Sequence, residues 1–219
     1  MSEKPSKKTR ANARAIHDIL GELWPEARCE LAYSNVFQLL VATVLSAQTT
    51  DRQVNLVTKT LFGHYPTLDA FLTCTLADLE DHIRSLGLYR NKAKNLHALA
   101  QILAADHQGT VPSGLAELTS LPGVGRKTAN VVRMEGFNIP ALPVDTHVLR
   151  LANRLGLSQS KDPNIVEKDL TSLLPDTCWK DAHHRLIWHG RRVCAAQKPR
   201  CGICSLTPFC SFSSKKVVS

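Results

Sequence analysis

The spacing of apolar residues is what most constrains this 219-residue chain. They recur three and four positions apart along most of its length, and no stretch sustains the alternation that a half-buried strand needs. In 13–24, Ile16, Ile19, Leu20 and Leu23 share one helical face, as do Ala93, Leu96, Leu99, Ala100 and Leu103 in 92–105. The same spacing predicts helices over 76–86, 146–155, 164–173 and 182–194, and a short one over 114–119. Segment 36–47 is apolar nearly all round, which suits a helix buried on most sides. Pro and Gly residues, among them Pro66, Gly87, Pro112 and Pro175, separate these segments. The expectation is an all-α protein of about ten helices with short connections. Loose ends are expected over the first ten and last seven residues.

Composition narrows the class. Apolar residues make up 43% of the chain, enough for a substantial core. The most apolar run, 36–47, is interrupted by Gln38 and falls short of the roughly 20 residues of a membrane span. The opening MSEKPSKKTR leads into neither an apolar segment nor a cleavage site. A cytoplasmic protein without a membrane partner is expected. The net charge is +8, and the last acidic residue is Asp181. After it come Arg185, Arg191, Arg192, Lys198, Arg200, Lys215 and Lys216. A one-sided basic segment suits a polyanion; a solvated basic tail is the alternative.

Residues 121–132 read LPGVGRKTANVV. Pro122 presets a turn, and Gly123 and Gly125 permit positive φ and leave amides uncovered, with that of Val124 between them. A helix then starts near Arg126 and Lys127. Helix starts carry unpaired N–H groups and partial positive charge, so two cations there call for an anion in front of them. The spacing is not that of a Walker loop, and no strand precedes it. Between two short helices, LPGVG reads as a helix-hairpin-helix, which holds a DNA backbone phosphate without reading sequence; an ordinary αα-corner is the plainer alternative. In VDTH, 144–147, Asp145 has the look of an N-cap. A carboxylate brought back to Lys127 could take a proton from it or stabilise positive charge on a sugar. His147 either caps the same helix or contacts DNA.

Cys194, Cys201, Cys204 and Cys210 lie within 17 residues, whereas Cys29, Cys74 and Cys178 are scattered and read as small core residues. Four thiols in one short loop argue for metal over disulfides. Zinc and an iron–sulfur cluster both suit thiolates, and spacing alone leaves the two open. Lys198 and Arg200 inside the loop would stabilise a net anionic cluster and can face phosphate. With no acid–base residue in the motif, the metal is expected to be structural.

With these motifs the chain resembles the endonuclease III family, bifunctional DNA glycosylases of the helix-hairpin-helix superfamily. The likeness runs over about 13–210 and includes LLVATVLSAQTTD (39–51), GLYRNKAKN (87–95) and HGRRVCAAQKPRCGIC (189–204). It implies two helical lobes: a six-helix barrel with the hairpin over 29–139, and a lobe carrying the cluster loop over 140–219, onto which the segment 1–28 packs. It further implies a [4Fe-4S] cluster on the four cysteines, a monomer, and a duplex carrying damaged bases as partner. Lys127 matches the nucleophile and Asp145 the catalytic carboxylate. Gln48 matches a residue that fills the hole left by a flipped nucleotide, and Leu88 a wedge beside the orphaned base. DNA contacts are expected from Gly123, Val124, Gly125, Arg126, His147, Lys198 and Arg200. The implied activity is removal of oxidised pyrimidines, then strand cleavage by β-elimination through a lysine Schiff base. The related adenine glycosylases lack the lysine. Two departures stand out: a charge pair, Arg133 and Glu135, in the helix after the hairpin, and Thr49, where many relatives have alanine.

Overall fold

The computed structural model describes residues 6–212. The loose ends expected over 1–5 and 213–219, with Lys215 and Lys216, lie outside the described residues. The remaining expectation there is corrected. Helix α1, Lys7–Leu23, already includes residues 7–10, because the Ser6 hydroxyl accepts the Thr9 N–H at 3.1 Å and caps it. Among the described residues there are eleven α-helices and no strand. The chain forms two compact units, 30–139 and 1–29 together with 140–219.

Unit 30–139 contains α2 (Val36–Leu45), α3 (Asp51–His64), α4 (Leu68–Leu72), α5 (Leu76–Ile83), α6 (Tyr89–Asp106), α7 (Leu115–Ser120) and α8 (Arg126–Gly136). Its axis is α2, whose residues Leu39 to Ala42 and Leu45 lie out of contact with solvent. Helices α3, α6 and α8 cover it, which is why its sequence is apolar all round. Gln38, the one break in that run, is buried and fully used. It accepts the Ser34 N–H at 2.8 Å and donates to the Pro66 carbonyl at 2.9 Å, so its burial leaves no amide unpaired. Helices α3 and α4 escape the periodicity reading. The start of α3 carries the signal Thr50-x-x-Gln53, and the Thr50 hydroxyl accepts the Gln53 N–H at 3.3 Å.

Unit 1–29/140–219 contains α1, α9 (Thr146–Arg154), α10 (Pro163–Leu173) and α11 (Trp179–Arg192). Helix α11 packs on α1 and α9, and α10 packs on the same two. Ile16, Leu20, Val148, Leu151, Val166 and Leu186 meet in its core. Beyond α11 the described chain has only the short turns Cys201–Ile203 and Thr207–Phe209, so it must be held by polar links rather than by a core of its own. Of the scattered cysteines, Cys74 is buried as expected, whereas Cys29 and Cys178 are only half-buried.

Candidate functional site

In unit 30–139 the glycine turn closes on itself. The Leu121 N–H donates to Leu118 at 3.2 Å and the Val124 N–H to Leu121 at 3.1 Å. Gly123 has φ +77°, and a Cβ there would meet the Asn95 side chain at 3.1 Å, so conformation and space both call for glycine. Gly125 is the N-cap of α8 and supplies no side-chain acceptor. The leading amides of α8 therefore carry no side-chain cap, with Arg126 exposed and Lys127 half-buried in the first turn. That arrangement accepts an anion. The side chain of Val124 is buried in the core and its N–H is taken by the Leu121 carbonyl, so the uncovered amide expected there is engaged within the turn. The departure in α8 lies beside buried groups. Met134 is buried, and Arg133 donates to the buried Asn130 side chain at 3.3 Å.

Gln48 and Leu88 share an unusual backbone. Their φ values are +54° and +59°, a left-handed region that costs a non-glycine residue about 1–2 kcal/mol. Both side chains are exposed, Leu88 to 59%. A core leucine, the plain alternative for Leu88, is thereby ruled out. Strained backbone that presents side chains to solvent is a mark of a functional surface.

In unit 1–29/140–219, Asp145 caps α9. Its Oδ1 accepts the N–H groups of His147 at 2.9 Å and Val148 at 2.8 Å, and its Oδ2 takes no part in the cap. The His147 ring faces inward. A Cβ on Gly190 would meet its Cβ and Nδ1 at 3.0 Å, and its Nδ1 accepts from Arg150 Nη2 at 3.1 Å. Burial, and after it the Arg150 and Arg191 guanidiniums against the opposing pull of Asp145, set its pKa below the usual histidine value.

The four cysteines line one small cavity, together with Val193, Pro199 and Thr207. Among the described residues, no three His, Cys, Asp or Glu side chains are spaced to hold a single metal ion. Burial, and after it the charge of the other three cysteines against a lowering hydrogen bond at Leu206, push the Cys204 thiol up. The frame of this loop was not anticipated from the sequence. Arg150 donates to the Cys194 carbonyl at 3.0 Å and to that of Gly190 at 3.0 Å. Arg154 donates to Cys194 Sγ at 3.1 Å and to the Ala195 carbonyl at 2.9 Å. The only advance signal was two arginines four residues apart on one helix. His189 is buried and neutral, its pKa lowered to about 4 by burial. Its Nδ1 accepts from the Trp24 indole at 3.3 Å, leaving Nε2–H to face Cys204 Sγ at 3.4 Å.

The basic C-terminal segment is less open than its charge count suggests. Arg185 pairs with Asp181 at 3.0 Å and meets His17 Nε2 at 3.3 Å, and Arg192 lies 3.8 Å over the Trp188 ring. Lys198 and Arg200 are exposed, although Arg200 also donates to the Arg192 carbonyl.

The chain is similar to known proteins over most of its length. Endonuclease III of Bacillus subtilis (strain 168) is 49% identical over 200 residues, 91% of each chain. A solved non-covalent Endonuclease III-DNA complex superposes with a TM-score of 0.92 at 44% identity, covering 96% of this chain and 99% of the other. A trapped Endonuclease III-DNA covalent intermediate gives a TM-score of 0.91 at 45% identity, with 95% and 98% covered. Residues 41–176 match the HhH-GPD superfamily, and the hairpin ahead of Lys127 lies inside that match. By sequence, fold and hairpin alike, the chain belongs to the HhH-GPD superfamily of base excision DNA repair proteins.

Proposed function

We propose that the protein is a bifunctional glycosylase and abasic-site lyase that removes oxidised pyrimidines from duplex DNA. One observation carries this reading: Lys127 is the second residue of α8, behind a glycine turn and a helix start that no side chain caps. A backbone phosphate satisfies those amides, and the same turn then holds a primary amine against the strand. The likeness to a covalently trapped Endonuclease III-DNA complex supports chemistry through a covalent bond to the protein.

A base inside a duplex is out of reach, so it must first leave the stack, at a cost of a few kcal/mol that is least for bases that stack or pair poorly. Gln48 fills the vacated space and Leu88 wedges beside the orphaned base. The Lys127 amine, in its neutral form, attacks C1′; the C1′–N bond breaks, and the base leaves with the electron pair and gains a proton. The sugar ring opens to a protonated Schiff base, which acidifies the C2′ protons. Loss of one of them expels the 3′ phosphate, and water then hydrolyses the imine and frees Lys127. Asp145 is the carboxylate of the reaction, its Oδ2 accepting a proton or facing positive charge on the sugar. Cys194, Cys201, Cys204 and Cys210 hold a [4Fe-4S] cluster. Bound there, the cluster cross-links a loop that has little core of its own.

Borohydride trapping tests this. Duplexes carrying a ring-saturated thymine or an abasic site should give a covalent adduct, and Lys127→Ala should bind the same duplexes without one. An adduct retained in Lys127→Ala would assign the wrong nucleophile. Trapping at the abasic site alone would remove the pyrimidine specificity.

A further inference from the structure

Two of the left-handed positions in unit 30–139, Gln48 and Leu88, are linked through one buried cation. Lys92, in the first turn of α6, is 5% exposed. Its N–H donates to the Leu88 carbonyl at 3.0 Å, and its Nζ reaches 2.9 Å from the Leu45 carbonyl and 2.9 Å from Thr49 Oγ1. The Leu45 carbonyl ends α2, where a cation is favoured. The Thr49 hydroxyl accepts from Lys92 and donates onward to the Ala47 carbonyl at 3.3 Å. That carbonyl belongs to the peptide that enters Gln48. A Thr49 N–H bond to Ser46 at 3.1 Å closes the turn, with Gln48 at a position usually taken by glycine or asparagine. A second link runs in parallel, from Gln53 Nε2 to Ser85 Oγ at 3.1 Å.

We infer that Lys92, with Thr49, is a positioning residue: it locks the Gln48 and Leu88 turns into one rigid element that enters the duplex as a unit. Lys92 touches no substrate. Its ammonium replaces the hydrogen bonds that would otherwise let the Gln48 turn relax out of its strained conformation. Thr49 adds a hydroxyl that passes this hold to the Gln48 peptide. Burial lowers the Lys92 pKa, and the two acceptors at 2.9 Å oppose that desolvation. The inference rests on the proposed roles of Gln48 and Leu88 in base extrusion.

The test compares two substrates under single-turnover conditions: a base-paired, ring-saturated thymine in a duplex, and a pre-formed abasic site in a single strand, where nothing has to be extruded. Lys92→Met keeps the stem and removes the three donors. It should slow excision from the duplex about tenfold or more, as small misplacements of a reacting group do, and leave cleavage of the single strand within about twofold. A 2-aminopurine next to the lesion should brighten more slowly by the same factor. Thr49→Ala should shift both readouts in the same direction by about two- to threefold; if Lys92→Met does not fold, this variant decides. Equal slowing on both substrates, or none on the duplex, overturns the positioning role. Failure of the wild-type protein on the duplex lesion overturns the proposed function instead.

Discussion

Leu88 carries two costs at once, an exposed leucine side chain and a φ of +59°. Neither repays the fold, and the wedge role proposed above supplies what the residue would meet outside the protein. Leu88→Gly should therefore raise the free energy of unfolding by about 0.5–1 kcal/mol, the strain released less the added freedom of the unfolded chain. The same change should slow base excision. Urea denaturation beside a single-turnover assay checks both, and a loss of stability would show that the left-handed turn is not strained. Gln48 and Leu88 were both legible as motif residues, through LSAQTTD and GLY. Their shared conformation was not, because φ depends on the bonds that hold a turn, and the lysine holding these lies 43 residues from Thr49.

In helix α9 the proposed function gives one side chain two tasks, one for the element and one for the reaction. Asp145 caps the helix through Oδ1, and asparagine is an equally good cap. Asp145→Asn should keep the melting temperature and lose excision, whereas Asp145→Ala should lose excision and about 1 kcal/mol of stability. Calorimetry with a trapping assay separates the two effects, and an active Asp145→Asn would reduce the carboxylate to a cap. Elements with an apolar stripe, such as α1, α6 and α10, were legible from spacing; the ends of α6 and α10 moved by three residues or fewer, whereas α1 starts at Lys7, well ahead of the expected 13. Helix α4 was not, since its five residues are too short to show a period. Helix α3 was announced by its capping signal rather than by its stripe. Arg150 and Arg154 read as ordinary helix-face charges until the cysteine loop was seen folded back onto them.

At the scale of the molecule, acid sensitivity belongs to unit 1–29/140–219. Burial and Arg185 lower the His17 pKa, against the smaller pull of Asp18 and Asp181; burial and Arg150 lower that of His147, against Asp145. Each folded value lies below the unfolded one, so the unfolded chain binds more protons on the acid side. The stability these groups contribute is complete above about pH 6.5 and is lost as pH falls through the folded values. Thermal midpoints should thus be level from about pH 8 to 7 and fall below about pH 6.5, more gently in His17→Gln. An unchanged slope in that variant would locate the acid sensitivity elsewhere.

By itself the sequence determined the helical class, the hairpin with its lysine, the capping aspartate and the set of four cysteines. These are local properties: a period of 3.6, a turn that needs glycine, a cap within three residues of its amides, ligands within one loop. Only the tertiary structure decided that Val124 turns into the core and that Arg185 and Arg192 are engaged within the fold. It alone showed Gln38 satisfied in the middle of an apolar helix, and Lys92 reaching back 47 residues to the end of α2. Burial and hydrogen-bond partners are set by what the rest of the chain brings alongside, and spacing along the sequence carries no record of that.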